Sequence, residues 1–338
     1  MLRPASVAKR LLPVNLRQDE AALFSDELER EIPRTDLLEM RDVRVSPEGI
    51  LFKGVRILSE SFAHPWMWDE WRSDKVLRFL IRNYGLRKRL RFDKEAVWII
   101  DNWSHGYFHW LADALSRLFA IRDRVSNQVL LLPHRYQEIE FVNASLRPFN
   151  LGGVEFMGKN NVAECRRLFV PTHTAPSGHY NEEIITGVRK LMVDYYRDAV
   201  GKAEGRFYIS RGRATRRKLV NEPEIIDVLS RFGFQIVYAE DYSFAEQVRI
   251  FSAARYLVSN HGAGLTNMLF MSPATNVLEL RYATDRVHNW YFILASALKL
   301  NYFYQSCEPV NCGEDPHTAD LRVDAKALRA NLELMIES

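Results

Sequence analysis

The chain has 338 residues, of which 47% are hydrophobic and 26% charged, the balance of a globular protein and not of a disordered one. Its net charge of +3 does not by itself indicate a nucleic-acid partner, and we expect none. Three cysteines are too few for a disulfide framework, and no apolar run approaches the roughly 20 residues that span a bilayer.

The first 40 residues are polar and lack periodicity, which predicts an N-terminal arm over residues 1–40. Residues 43–52 contain two apolar runs around a Ser-Pro-Glu-Gly turn and predict a β-hairpin. Apolar strands and amphipathic stretches then alternate. The predicted elements are strands at 97–100, 129–132 and 168–171 and a helix at 107–122. This alternation predicts an α/β domain over residues 41–176.

A Pro-Ser-Gly-His segment at 176–179 predicts an interdomain linker, and a long helix is expected over 181–200. The alternation then resumes. The predicted strands are 207–210, 235–238, 256–259 and 277–280, and the predicted helices are 222–231, 244–253, 265–270 and 324–336. The pattern predicts a second α/β domain over residues 177–320 and a C-terminal helix over 321–338. We expect two doubly wound, Rossmann-like domains that face each other across a cleft, with ligands at the carboxyl ends of the strands.

A glycine-containing turn lies between a predicted strand and a predicted helix. Its residues are His261, Gly262, Ala263, Gly264, Leu265, Thr266 and Asn267. Backbone N–H groups at such a turn point at an anion, and glycine lets the backbone approach a ligand closely. The turn therefore predicts a site for a phosphate-bearing ligand.

A basic loop follows the predicted strand 207–210. It begins with Ser210 and Arg211 and carries further cations, among them Arg216. Guanidinium groups suit bidentate phosphate contacts, although an exposed basic loop is an alternative. Glu279, on a later strand, is a candidate partner for ribose hydroxyls or for a nearby cation such as Arg281.

Histidine and aspartate recur at a spacing of four after the predicted strand 97–100. His105, His109 and Asp113 would share one helix face, although Gly106 leaves the place of His105 open. Asp113 could orient His109 or act as a base itself. A metal site and a purely structural His–Asp pair are the alternatives. Tyr107 and Trp110, together with His105, are candidates for contact with a substrate on this side of the predicted cleft.

The densest basic cluster lies at residues 82–91. It is either a solvated helix end and loop or a contact for an anionic membrane surface or a polyanionic acceptor.

These stretches together resemble glycosyltransferase family 61, a group that includes plant xylan transferases, animal O-linked GlcNAc transferases and bacterial capsule proteins. The resemblance covers about residues 95 to 285. It rests on the motifs at 106–113, 209–211 with Arg216, 221–222, Phe244 with 246–247, 261–267 and 277–280.

The resemblance implies a GT-B fold, an inverting reaction, a nucleotide-sugar donor and no metal or other cofactor. It places Ser210, Arg211 and Arg216 on the donor diphosphate, residues 261–267 on phosphates or ribose, and Glu279 near the ribose. His109 and Asp113 would face the acceptor, so residues 41–176 would form the acceptor-side domain, and His105, Tyr107 and Trp110 are its further candidate acceptor-side residues. Asp113 is the first candidate for the base and His109 the second. We expect a UDP-linked donor and an oligosaccharide or polysaccharide acceptor. The acceptor is either free or linked to a lipid.

The setting expected from the sequence is bacterial surface polysaccharide biosynthesis in the cytoplasm, with contact at the inner membrane as an option. Residues 1–15 lack the apolar segment of a signal peptide or anchor. Two alternatives stay open. One is a non-catalytic protein that binds nucleotide sugars or glycans, and the other is a metal-dependent hydrolase that uses His105, His109 and Asp113.

Overall fold

The structure is a computed structural model that describes residues 1–71, 74–197 and 203–338. The chain forms two compact units: unit 1 comprises Met1–Ser6 and Glu31–Val188, and unit 2 comprises Val7–Arg30 and Arg189–Ser338. The predicted arm over residues 1–40 is therefore divided between the two units. In the described part of the chain, no helix combines the length and the apolar character needed to cross a membrane.

The strands, in chain order, are β1 (Ser6–Lys9), β2 (Glu29–Ile32), β3 (Leu37–Val45), β4 (Leu51–Lys53), β5 (Arg56–Ile57), β6 (Lys88–Phe92), β7 (Ala96–Val97), β8 (Val129–Pro133), β9 (Gly153–Met157), β10 (Asn161–Pro171), β11 (Gly205–Ile209), β12 (Gln235–Val237), β13 (Ala254–Asn260), β14 (Asn276–Tyr282), β15 (Asn301–Pro309) and β16 (Leu321–Arg322). The α-helices are α1 (Pro65–Glu70), α2 (Asp74–Ile81), α3 (Tyr107–His109), α4 (Leu115–Ile121), α5 (Glu140–Leu146), α6 (Glu182–Tyr196), α7 (Glu222–Arg231), α8 (Phe244–Ser252), α9 (Trp290–Ala297) and α10 (Ala325–Glu337). β1 and β2 pair with each other.

Unit 1 is built on a mixed sheet with the strand order β5-β4-β3-β10-β7-β8-β9, and β6 also pairs with β10. β10 runs parallel to β6 and β7 but antiparallel to β3. The sheet differs from the doubly wound one predicted, because the tight turns between β3, β4 and β5 force these strands to run antiparallel. The predicted hairpin at 43–52 is confirmed by the pairing of Val45 with Leu51.

One continuous helical run occupies residues 107–121 of unit 1, close to the predicted helix at 107–122. A π-helical turn, Trp110–Ala114, joins α3 to α4. The run buries Leu111, Leu115 and Leu118 against the unit's core. The predicted helix at 181–200 is present as α6, and its last three predicted residues lie outside the described residues.

Unit 2 contains a six-stranded sheet in the order β12-β11-β13-β14-β15-β16, parallel except for β16. This sheet has the parallel α/β character predicted for the second half. The predicted helix at 222–231 matches α7, while the one at 265–270 is a 3-10 helix, Ala263–Phe270. α9 and β15 were not predicted. The carboxyl ends of β11 and β13 lie side by side at one edge of the sheet.

Candidate active site

Arg211 and the glycine turn of unit 2 form one surface. Arg211 follows the end of β11, and Gly262 follows the end of the neighbouring strand β13. A Cβ atom added to Gly262 would lie 2.7 Å from the Arg211 Cζ atom. The guanidinium group therefore rests directly on the Gly262 backbone, and space, not backbone angle, is what demands glycine here.

A second guanidinium, that of Arg217, lies in the electrostatic range of Arg211. Burial and the charge of Arg211 lower the pKa of Arg217, and burial also lowers the pKa of Arg211. The Nε atoms of both are buried without a hydrogen-bond partner, and neither group has an ion pair in the described part of the chain. Two half-buried like charges without an ion pair among the described residues favour binding of an anion.

The backbone of Arg217 is held by the strand ends. Arg217 adopts a left-handed conformation with φ of 56°, and its C=O accepts a hydrogen bond from the Asn260 side chain at 2.5 Å. The predicted phosphate ligand Arg216 is instead exposed, and its C=O accepts a hydrogen bond from Arg211. Sequence reasoning missed Arg217, because nothing in a run of two arginines tells which side chain turns inward.

Glu279, expected near a ribose, is fully buried. Its carboxylate accepts hydrogen bonds from His261 Nδ1 and from the Tyr302 hydroxyl, both at 2.5 Å. Burial opposes its ionisation, but the charge of His261 and its hydrogen bonds hold the pKa of Glu279 below its ordinary value. An ionised carboxylate can only accept, so the His261 Nδ1 atom carries a proton and its Nε2 atom is left for a ligand.

Four other predicted donor-binding residues are structural. The Ser210 hydroxyl is buried, donates to Glu222 and accepts from the Gly212 N–H, which shapes the loop. The remaining three, Leu265, Thr266 and Asn267, are buried in the 3-10 helix. Ala263 is exposed, Gly264 is half-buried, and Gly262 is buried beneath the Arg211 guanidinium.

Aromatic and imidazole rings lie next to His261, and the sequence reasoning did not select them. The ring centroids of His261 lie 6.4 Å from His288 and 6.0 Å from Trp290, and His288 lies 3.9 Å from His317. Asp285 accepts a hydrogen bond from His288 Nδ1 at 2.8 Å. These residues come from the chain after β14, where the pattern gave no strand or helix on which to place them.

In unit 1, the predicted residues His109 and Asp113 lie next to Ser177, which follows β10 and was not predicted as a site residue. Asp113 Oδ2 lies 2.9 Å from His109 Nδ1 and accepts a hydrogen bond from the Ser177 hydroxyl at 2.7 Å. Ser177 lies in the segment predicted as a linker. His109 donates a hydrogen bond from Nδ1 to the Asp113 carboxylate. The Nε2 atom of His109 is therefore left to accept a proton.

A second network in unit 1 centres on the buried carboxylate of Asp101, and Arg117 lies in the electrostatic range of both Asp101 and Asp113. Asp101 accepts hydrogen bonds from Ser104 and from the Trp103 N–H, and it lies 2.9 Å from His173 Nε2. Burial opposes ionisation of Asp101, but His173 and Arg117 hold its pKa well below the usual range. Burial lowers the pKa of Arg117 to about 10, against the attraction of Asp101 and Asp113.

The three candidate acceptor-side residues differ. Trp110 is fully buried and donates a hydrogen bond to Ser145, so in this structure it belongs to the core. The Tyr107 ring packs edge-on against Phe141. His105 is exposed and outside the hydrogen-bonded group. Among the described residues, no three His, Cys, Asp or Glu side chains are grouped to hold a metal ion, so the ligand set of the hydrolase alternative is not assembled.

A row of rings extends from His109 along unit 1. Ring centroids are 5.0 Å apart for His109 and Trp103, 4.9 Å for Trp103 and His64, and 6.3 Å for His64 and Trp66, the last pair stacked. Trp66 is exposed. Asn102 ties the two chain segments together, since its side-chain oxygen accepts from the Ala63 N–H at 3.0 Å.

Comparison with known proteins shows what this chain is similar to. The relatives named Protein O-linked-mannose beta-1,4-N-acetylglucosaminyltransferase 2 include those of Homo sapiens (40% identical over 81 residues, 22% of this chain and 14% of the relative), Xenopus tropicalis (43% over 72 residues, 20% and 12%) and Tetraodon nigroviridis (35% over 85 residues, 24% and 15%). The chain thus matches at most 15% of the length of these relatives. They are vertebrate proteins, not capsule proteins of bacteria.

The family itself is established by a longer match. The protein-family model described as Glycosyltransferase 61 matches residues 107–278, just over half of the chain. The match begins at α3, which carries His109, and includes Arg211, the glycine turn and the first three residues of β14. The chain is a glycosyltransferase and belongs to glycosyltransferase family 61.

Proposed function

We propose that this chain is an inverting glycosyltransferase that moves a sugar from a nucleotide-diphosphate donor, UDP-linked, to a hydroxyl of a glycan acceptor. The observation that carries the proposal is the contact of Arg211 with Gly262, beside the second guanidinium of Arg217. Two cations without an ion pair in the described part of the chain, next to the start of the 3-10 helix at Ala263, suit a diphosphate.

His109 acts as the base in this proposal, and Asp113 positions it. Asp113 is buried and already accepts two hydrogen bonds, whereas His109 keeps one ring nitrogen free. His109 Nε2 takes the proton of the acceptor hydroxyl, whose oxygen bonds to the anomeric carbon from the face opposite the donor phosphate. This order reverses the one expected from the sequence.

The departing group is the nucleoside diphosphate, which leaves with the electron pair of the broken C–O bond. Arg211 and Arg217 neutralise the charge that develops on it, and His261, protonated on both ring nitrogens in this step, donates a further hydrogen bond from Nε2. Because fixed cations serve this purpose, we propose that the reaction needs no metal.

The acceptor is received along the ring row of unit 1. The faces of Trp103 and Trp66 suit the apolar faces of sugar rings, and they start beside the proposed base. The relatives' names give N-acetylglucosamine and an O-linked mannose acceptor as the first pair to examine, with UDP as the proposed carrier. The sequence-based proposal, a lipid-linked bacterial surface glycan, is the second.

We further propose that the protein works in the cytoplasm. Cys165, Cys307 and Cys312 are all free, and Cys312 is exposed. An exposed free thiol suits a reducing compartment.

Thermal unfolding with UDP and with UDP-N-acetylglucosamine tests the donor site, since a ligand of the folded state raises the midpoint with concentration. We expect Arg211→Ala to abolish the shift. Arg213→Ala is the matched control, because Arg213 lies in the same loop but is exposed and paired with Asp241. A shift that survives Arg211→Ala would refute the site.

Sugar transfer is then measured with EDTA present, using methyl α-mannoside and a lipid-linked surface-glycan fragment as acceptors. We expect turnover to persist with EDTA, and its complete loss would refute metal independence. UDP binding without turnover on any donor and acceptor pair would favour the non-catalytic binding protein.

A further inference from the structure

In unit 1, an amphipathic helix continues into a π turn at the start of the basic cluster of residues 82–91. Helix α2 leads into the π-helical turn Arg82–Leu86. One side of this element is fixed to the core: Phe79 is buried against Phe52, and Asn83 is buried as well. The opposite side therefore has a fixed orientation and faces solvent.

Three aliphatic side chains form a line on that solvent side. Leu77, Ile81 and Leu86 are 64%, 57% and 79% exposed. The first two are four residues apart on an α-helix, and the last two are five apart across a π turn, whose hydrogen bonds run from i to i+5. The spacings match the two helix types, so all three residues lie in one stripe, which we call the aliphatic stripe.

A row of cations runs beside the aliphatic stripe. Arg78 and Arg82 are exposed, and each directly follows a residue of the aliphatic stripe; Lys75 is exposed near the start of the helix and lies 3.6 Å from Glu70. Residues 75–92 contain seven Lys or Arg and no Asp or Glu. Arg78 has no ion pair in the described part of the chain, and Arg82 only a loose one, at 3.5 Å from Glu48.

We propose that this face docks on the surface of an anionic lipid bilayer. Aliphatic side chains enter the boundary between headgroups and acyl chains, while neighbouring Lys and Arg reach the phosphates. A polyanionic glycan would use the cations but would gain nothing from the aliphatic stripe. A protein partner of standard size needs about 800 Å² per side, far more than three side chains offer.

Sedimentation of the full chain with vesicles tests the proposal, using phosphatidylcholine alone and phosphatidylcholine with 30 mol% phosphatidylglycerol (about the anionic content of a natural inner leaflet). We expect binding to the anionic vesicles only. Leu77→Ser with Ile81→Ser should lower the partition coefficient about tenfold or more. Arg78→Gln with Arg82→Gln should lower it by about fivefold per charge, with the remaining binding lost at high salt.

Two control variants share the chemistry but lie in unit 2. Val287→Ser with Val310→Ser removes two exposed aliphatic side chains, and Arg322→Gln with Lys326→Gln removes two exposed cations. Both should bind vesicles as the unaltered chain does. Equal binding to both kinds of vesicle, or unchanged binding by the Leu77/Ile81 variant, would overturn the proposal. Loss on charge removal alone would assign the face to a polyanion. Thermal unfolding midpoints of all variants exclude misfolding as the cause.

Discussion

The two histidines to which we assign roles in the reaction have the same hydrogen-bonding arrangement. In each, His109 with Asp113 and His261 with Glu279, a buried carboxylate lies on Nδ1. The carboxylate fixes both the ring orientation and the tautomer, because an ionised carboxylate only accepts hydrogen bonds. The single free atom, Nε2, is thereby left for a substrate, which makes each ring a better-defined proton carrier than an isolated histidine.

The first prediction separates the base from the residue that positions it. His109→Gln removes the proton acceptor, and we expect kcat to fall by about 10² or more, the usual contribution of a general base. Asp113→Asn keeps the base but misplaces its proton, and we expect a smaller loss, about tenfold. Turnover is measured at saturating donor, with UDP binding as the control. A larger loss for Asp113→Asn would return the role of base to Asp113.

The second prediction concerns Gly262. In Gly262→Ala the new Cβ would meet the Arg211 guanidinium, a flexible side-chain end that can move away. We expect UDP affinity to fall about tenfold, equivalent to about 1.4 kcal/mol, with the unfolding midpoint little changed. Gly85→Ala is the matched control, since nothing lies within 4 Å of the added atom. Calorimetry measures both affinities, and equal affinities would contradict the proposed phosphate surface.

At the scale of elements, the helical run at 107–121 positions His109 and Asp113 through its π turn. Asp113 lies in the turn itself, while His109 lies just before it. α4, which continues the run, packs against α6, because a Cβ added to Gly187 of α6 would meet the Phe119 ring. The segment that carries Ser177 is held between β10 and α6, so this packing also supports the third member of the hydrogen-bonded group.

The third prediction follows from this packing. Alanine in place of glycine normally stabilises a helix interior by about 1 kcal/mol. For Gly187→Ala we expect the opposite sign, a loss of about 1–3 kcal/mol, because the methyl group overpacks the Phe119 ring. Lys190→Ala, at an exposed position on the same helix, should leave stability nearly unchanged. Urea unfolding measures both, and stabilisation by Gly187→Ala would contradict the close contact.

At the scale of the whole molecule, both units contain ionisable groups whose pKa values are lowered on folding. The carboxyl groups are Asp101, Asp285 and Glu279, each kept ionised by a nearby histidine despite its burial. The imidazoles are His64 and His317, whose pKa values are lowered chiefly by burial. In every case the unfolded chain binds a proton at higher pH than the folded chain does.

The fourth prediction is that stability decreases as the pH falls. The loss should begin below the ordinary histidine pKa of 6.5 and steepen below the ordinary carboxyl values of 4.5 and 3.8. Each group adds at most about 1.4 kcal/mol per pH unit between its unfolded and folded pKa values. Urea midpoints from pH 8 to about pH 3 measure the trend, and Glu279→Gln should reduce the part of the loss that occurs below pH 4.5. A stability that stays constant below pH 6 would contradict the protonation argument.

The sequence by itself determined the elements and the chemistry available at their ends. The alternation of apolar runs and amphipathic stretches located β8, α7 and β14, because burial of one face leaves its period in the sequence. Local order also located the glycine turn and the spacing of His109 and Asp113. These features depend on residues close together along the chain.

Only the tertiary structure decided which of the candidate side chains face a ligand. Glu279, Ser210 and Trp110 have suitable chemistry but are buried, while Arg217 and Ser177 reach the sites from segments without a distinguishing pattern. The sequence fixes the order of residues along a strand or loop but not the direction in which a loop turns. That direction depends on contacts between distant segments, such as Asn260 with Arg217, and these contacts form only when the chain folds.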